Sequence, residues 1–262
     1  MRILAIICLG LASLTGQQTP PVQKGGEAQT NQRKARAVLD QMIAALGGQA
    51  YLNLQDSKSE ARYGNFYHGA VNETALYFRF WQWPDKERLE LTKSRDIIIL
   101  RVGDKGYEKT FRGTKLEDPE ALRKYLLRRD HSLAVVLRQW LSAPGTALLY
   151  DGPTIAENRA AEKVTIMNSQ NDAVTLFIAA DTRLPIKKVF YVRNPLYKDG
   201  DEEVEVFDNW KVVQGVSTPY NTLSTHNGEM ISQVYTLAIS YNNRLESSMF
   251  YPGPVNFDPS KR

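Results

Sequence analysis

Cysteine is nearly missing from this chain of 262 residues: Cys8 is the only one, inside an apolar run close to the start. If that run is removed, no disulfide, no Cys-held metal and no Cys nucleophile is available to the rest. Histidine is almost as scarce, with only His68, His131 and His226. No two of them stand at metal-ligand spacing and there is no HExxH, so a histidine metal centre has no support. The GxSxG, GxGxxG and P-loop signatures are also missing. The turns "VGDKG" and "KDGDEE" lack EF-hand spacing. All three histidines read as solvated or turn residues. "GDEEVEVFD" gathers five carboxylates, but Glu203 and Glu205 alternate with Val204 and Val206, the pattern of a strand with a solvated face. No catalytic set, metal or cofactor is expected, and the chain reads as a non-enzyme.

Long hydrophobic runs are missing too, with one exception at the start. Met1-Arg2 is a short positive lead, "ILAIICLGLASL" is apolar, and "TGQQTPP" is small and polar. The run is too short to span a bilayer and has the layout of a secretory signal, expected over residues 1–16. Ile6 and Ile7 before Cys8 do not fit a lipid-attachment site. Residues 17–32, rich in Gln, Gly, Thr and Pro, read as a flexible leader. Residues 33–257 then form one domain and 258–262 a tail, with no repeat and no second linker. Export implies a periplasmic, soluble or peripherally bound product. The formal charge of +4 falls by one to +3 without Arg2, and both signs are interspersed. Without a basic stripe, no nucleic-acid partner is expected. The basic cluster "RKYLLRRDH", residues 123–131, reads either as a solvated helix face or as an approach to anionic lipid headgroups.

What is present is a helix and then about a dozen strands. Val38, Leu39, Met42, Ile43 and Leu46 fall at helical spacing, so a helix is expected from Asn31 to Leu46, closed by Gly47-Gly48. Short β-rich segments bounded by turn residues follow to "SMFYP", which argues for one large antiparallel sheet. The fold class is mainly β with added helices, the sheet curling into an incomplete barrel. A helical insertion at 118–142 interrupts the strands, with Asp118 as N-cap, a break at Asp130-His131-Ser132, and a second piece carrying Leu133, Val136, Leu137, Trp140 and Leu141.

In "LYFRFWQWPDK", Phe78 and Phe80 point one way while Trp81 and Trp83 point the other. Such a strand is apolar on both faces, which suggests that one face lines a cavity closed by the amphipathic helix. The expected cavity contacts are Phe78, Phe80, Trp81, Trp83, Leu89, Leu91, Ile97 and Ile99. From the lid come Leu133, Val136, Leu137 and Trp140. For any one of them plain core is the competing reading.

The stretches "VLDQMIAALGG", "FWQWPDKERLEL", "IIILRVGDKGYEKT", "FDNWKVVQGVSTPY" and "SSMFYP", in that order over residues 38–252, resemble the periplasmic lipoprotein-carrier superfamily of LolA and LolB. The resemblance implies a carrier of lipoprotein acyl chains or another lipid, with envelope donor and acceptor proteins and no cofactor. In that family an Arg directly before a proline helps hold the lid closed. Trp83 stands there in this chain, with Arg79 and Arg88 as candidate replacements. Two rivals stay open. An enzyme would turn Arg79, Glu87 or His68 into the cavity, and an envelope interaction module would have a solid core and an exposed apolar patch.

Overall fold

The structure is a computed structural model that describes residues 24–193 and 200–258. The expected signal, Cys8, the first part of the leader, the first half of the "KDGD" turn and the last four tail residues lie outside the described residues.

The apolar spacing of the first helix makes α1 (Lys24–Leu46), which starts seven residues before the expected Asn31. Residues 24–32, expected in the leader, form its first turns. Glu27, Ala28 and Gln29 are good helix formers, and the side chain of Asn31 is tied down on the sheet. Ala35, Leu39, Met42 and Leu46 are buried to within 1 %. Gly47 closes the helix at a positive φ of 123°, and a Cβ there would run into the Gly215 carbonyl. A short turn, α2 (Gln49–Leu52), leads to the strands.

The first meander is β1 (Asp56–Tyr67), β2 (Ala70–Gln82), β3 (Lys86–Leu91), β4 (Ile97–Val102), β5 (Lys105–Thr110) and β6 (Gly113–Leu116). Then come α3 (Pro119–Asp130) and α4 (Leu133–Arg138), with a 3-10 turn at Trp140–Ser142. Asp118 caps α3 by accepting from the Ala121 amide at 2.9 Å, and Ser132 recaps α4 from the Val135 amide. The second meander is β7 (Ala147–Ala156), β8 (Arg159–Met167), β9 (Ala173–Ala179), β10 (Pro185–Arg193), β11 (Gly200–Val213), β12 (Val216–His226) and β13 (Glu229–Tyr241).

All these strands form one antiparallel sheet in the order β6-β5-β4-β3-β2-β1-β13-β12-β11-β10-β9-β8-β7. The chain starts in the middle, meanders out to β6, crosses to the opposite edge at β7, and returns until β13 pairs with β1. The connection between the meanders must pass over the sheet, which is why α3 and α4 lie on the same face as α1. The fold is mainly β as expected, but the sheet is neither closed into a barrel nor strongly curled.

Its two edges are blocked by other means. The amide side chain of Asn31 donates to the Tyr150 carbonyl and accepts from the Tyr150 amide, both at 2.8 Å, as a strand would. Pro153 adds a residue on β7 that cannot donate. At β6 the C-terminal segment supplies the amides of Asn256 and Asp258 to the carbonyls of Thr114 and Arg112. With both edges sealed, closure is not needed to avoid edge pairing.

The main core lies between α1, α4 and strands β7 to β10. It includes Val136, Leu148, Val164, Ile166, Leu176 and Phe190. His131, expected in solvent, is buried at the α3–α4 junction. Its ring stacks on Phe190 at 4.3 Å, and its Nδ1 lies 2.8 Å from the Leu127 carbonyl. The flat Phe190 face makes burial of the imidazole inexpensive.

Candidate functional site

Directly paired residues in an antiparallel sheet share a face, so the register sorts the apolar candidates. Tyr77, Leu91 and Ile97 form one cross-strand row, Arg79, Leu89 and Ile99 the next, and Trp81, Glu87 and Arg101 a third. All three rows face the helices. Leu89, Leu91, Ile97 and Ile99 come together as a quartet, the first, second and fourth half-buried and Ile97 36 % exposed. Trp81 points to the same side and packs near Tyr51, Val216 and Tyr241.

Phe78 and Phe80 face the opposite way. Phe80 shares its row with Arg88 and Leu100, and the C-terminal turn Ser247–Phe250 packs on β3 and β4. Arg88 holds that turn by donating to the Met249 carbonyl at 3.0 Å. Phe78 lies under the Arg95 guanidinium at 3.6 Å. The second apolar face of β2 is thus partly explained by the chain's own C-terminal segment.

The helical candidates fall elsewhere again. Val136 and Leu137 are 0 % and 4 % exposed in the main core, with Leu133 and Trp140 half-buried against it. Helix α3 differs in that none of its residues is buried. It is fastened by charge and by Leu127, half-buried against the main core. Arg128 meets Glu203 at 3.2 Å, Arg129 donates to the Gly103 carbonyl at 2.6 Å and meets Asp104 at 3.1 Å, and Tyr125 lies 4.0 Å from the Arg101 guanidinium.

Beneath α3 runs an ion-pair ladder. Glu87 takes Arg79 at 2.6 Å and Arg101 at 2.9 Å, and Arg101 also reaches Glu117 at 2.9 Å. Burial alone would raise the Glu87 carboxyl, but the charges of Arg79 and then Arg101 outweigh it and hold the group below the usual carboxylate range. Burial pushes the nearby Tyr77 phenol up to about 12 and raises that of Tyr125 as well. Arg79 and Glu87 do turn inward, as an enzyme would require, yet each is occupied by its partner. His68 stays exposed. Among the described residues no group of His, Cys, Asp and Glu is arranged to hold a metal ion.

Between α3 and the central strands lies a cavity of about 590 Å³, whose lining includes Tyr63, Tyr125, Lys124, Arg128, Glu203 and His226. Tyr77 packs edge-on to Tyr63, which lines the cavity, at 6.4 Å and sits across from Leu91; the apolar quartet shares the cavity's face of the sheet but is not part of its lining. Glu203, expected on a solvated face, is 7 % exposed and turned to the helices. Arg128 and His226 compensate its burial, the latter through Nδ1 at 2.9 Å. Glu205, expected on the same face, pairs with the fully buried Lys188 at 2.7 Å. Of these groups the sequence signalled only the basic cluster holding Lys124 and Arg128. Tyr63 and His226 carry no local signal, because the pairing of distant strands brings them there.

The residue before Pro84 also finds a partner. Neither Arg79 nor Arg88 reaches Trp83. Arg138 at the end of α4 stacks its guanidinium 3.6 Å from the Trp83 ring and donates to the Leu54 carbonyl at 2.9 Å. The cation sits at the end of α4, and its partners lie in the connection before β1 and the turn after β2. Arg138→Ala is expected to cost about 1–2 kcal/mol by urea denaturation, and Arg138→Lys to recover less than half because Lys stacks poorly.

No family model and no curated protein matches the chain. Solved structures do. A DUF1329 family protein of Desulfovibrio piger superposes with a TM-score of 0.57 at 12% identity, over 83% of this chain and 97% of its own. A LolA superfamily protein of Nitrosomonas europaea gives 0.51 at 11%, over 83% and 97%. The fold is LolA-like. A third LolA-like match, a domain assigned to outer membrane lipoprotein sorting in Vibrio parahaemolyticus, gives 0.55 at 12%, over 84% and 97%. Identities this low speak for the shared fold and for nothing finer.

Proposed function

We propose that this protein is a non-catalytic, periplasmic binder of acyl chains that carries a lipid or an acylated protein in the envelope. The observation behind this reading is the half-buried quartet Leu89, Leu91, Ile97 and Ile99 on the same face of the sheet as a cavity roofed by a helix none of whose residues is fully buried. Each methylene moved from water onto such a surface contributes about 0.8 kcal/mol, so a chain of ten outweighs several polar contacts under α3. In a LolA-like fold this is the helix-bearing face of the sheet. The twelve candidates then divide in role. The quartet contacts the chain, Trp81 and Trp83 position the sheet and α4, Leu133, Val136, Leu137 and Trp140 anchor the α4 region in the core, and Phe78 and Phe80 serve the opposite face.

A second reading has its own observation. On the opposite face a groove of about 570 Å³ at β1, β2 and β13 includes Leu76, Val71 and Tyr235, and Val71 and Tyr235 are 60 % and 48 % exposed. An envelope module would use this surface for a protein partner.

The test is native mass spectrometry, with solvent extraction, of protein purified from its native host. Co-purifying acyl species, lost in Ile97→Asp with folding intact, support the carrier. A clean ligand-free mass with no uptake of added hexadecanoate sinks it.

A further inference from the structure

Resting on the acyl-chain reading, we infer that the bound amphiphile carries an anionic head, a carboxylate or phosphate, held by Lys124 and Arg128 at the cavity beneath α3. The cavity lining names three cations, Arg101, Lys124 and Arg128, against one carboxylate, Glu203. Arg101 is already committed to Glu87 and Glu117. The other two are not closed off. Among the described residues Lys124 meets only the exposed Glu120, at 3.5 Å. Arg128 holds Glu203 loosely, Nε at 3.2 Å and Nη2 at 3.5 Å from the two oxygens, with about a third of its side chain in solvent.

Glu203 would at first sight repel an anion. It already accepts from His226 Nδ1 at 2.9 Å, a shorter contact than either one from Arg128. Arg128 can therefore turn to an incoming head while Glu203 keeps a hydrogen-bond partner, which lowers the cost of the exchange. Both cations lie on one helix, four residues apart and so on one face, and that helix also roofs the cavity. The tail is offered the apolar quartet on the same face of the sheet, beyond Tyr77, and the head is offered the guanidinium and ammonium. Binding would replace the Arg128–Glu203 contact that fastens α3, so the anionic head and the release of the roof are one event.

The experiment compares hexadecyl phosphate, hexadecanoate and hexadecanol by displacement of a fluorescent acyl probe from the intact protein, with inorganic phosphate as a fourth competitor. The two anionic amphiphiles are expected to bind about tenfold or more tighter than hexadecanol, through charge-assisted hydrogen bonds, and to lose that margin at high salt. Lys124→Gln, which removes only a surface contact to Glu120, should erase several-fold of the preference, and Arg128→Gln most of the rest. Inorganic phosphate alone should not displace the probe. Equal binding of hexadecanol, or a preference unchanged in both variants, overturns the inference and leaves the acyl-chain reading standing. Displacement by inorganic phosphate would mark a free-phosphate site and overturn the inference. Binding of none of the three amphiphiles overturns both.

Discussion

Glu87→Gln is expected to lower stability by about 3 kcal/mol. Glu87 is 4 % exposed and its two oxygens meet different cations, Arg79 and Arg101. A neutral amide fills the space but leaves Arg101, 13 % exposed, with Glu117 alone beneath Tyr125. The Arg79 side chain keeps 39 % of its surface in solvent, so its loss of a partner is partly screened, and the figure sits at the low end for a broken buried pair.

The same group sets a pH dependence. Its folded pKa lies below the 4.5 of the free side chain, so its contribution is complete above that value and is lost as the pH falls through the lower folded one. Urea midpoints of the wild type should therefore drop on going from about pH 7 to about pH 3, and those of Glu87→Gln should drop less. A variant as stable as the wild type, with the same acid limb, would show that the ladder adds nothing.

Phe190→Ala is expected to cost about 3–5 kcal/mol, as for a fully buried aromatic in a core that cannot collapse. Phe190 is 2 % exposed, packs in the main core, and provides the surface on which His131 stacks. Its loss also frees the joint between α3 and α4. Thermal unfolding should therefore show both a lower midpoint and earlier loss of helix signal than of sheet signal. Phe190→Leu keeps most of the volume and should cost less than half as much. A penalty below about 1 kcal/mol for the alanine variant would mean that the core is not packed as described.

Much of this fold is legible in the chain. The five apolar residues of α1, the Asp118 cap, the helix break at Asp130-His131-Ser132 and the turn-bounded strands follow from local rules of spacing and capping, and they reappear in place. The openness of the sheet does not. It depends on Asn31 reaching Tyr150, 119 residues away, and on the tail reaching β6, and no local pattern encodes either.

The candidate site was legible by halves. Alternation separated Phe78 and Phe80 from Trp81 and Trp83, but could not say that the C-terminal turn covers one side. The strong apolar period of α4 suggested a removable cover, when in the fold it marks a core helix. The charged α3, whose basic cluster reads in sequence either as a solvated face or as an approach to lipid headgroups, is the one that roofs the cavity. The ion pairs that allow this join residues up to 75 positions apart, as Arg128 and Glu203 do.

The most direct test of the central claim is photocrosslinking with hexadecanoate bearing a diazirine near its tail, followed by peptide mapping. The account predicts adducts on β3 and β4, within residues 86–102, and on α3. Adducts confined to the groove at Leu76, Val71 and Tyr235, or no saturable adduct at all, would contradict it.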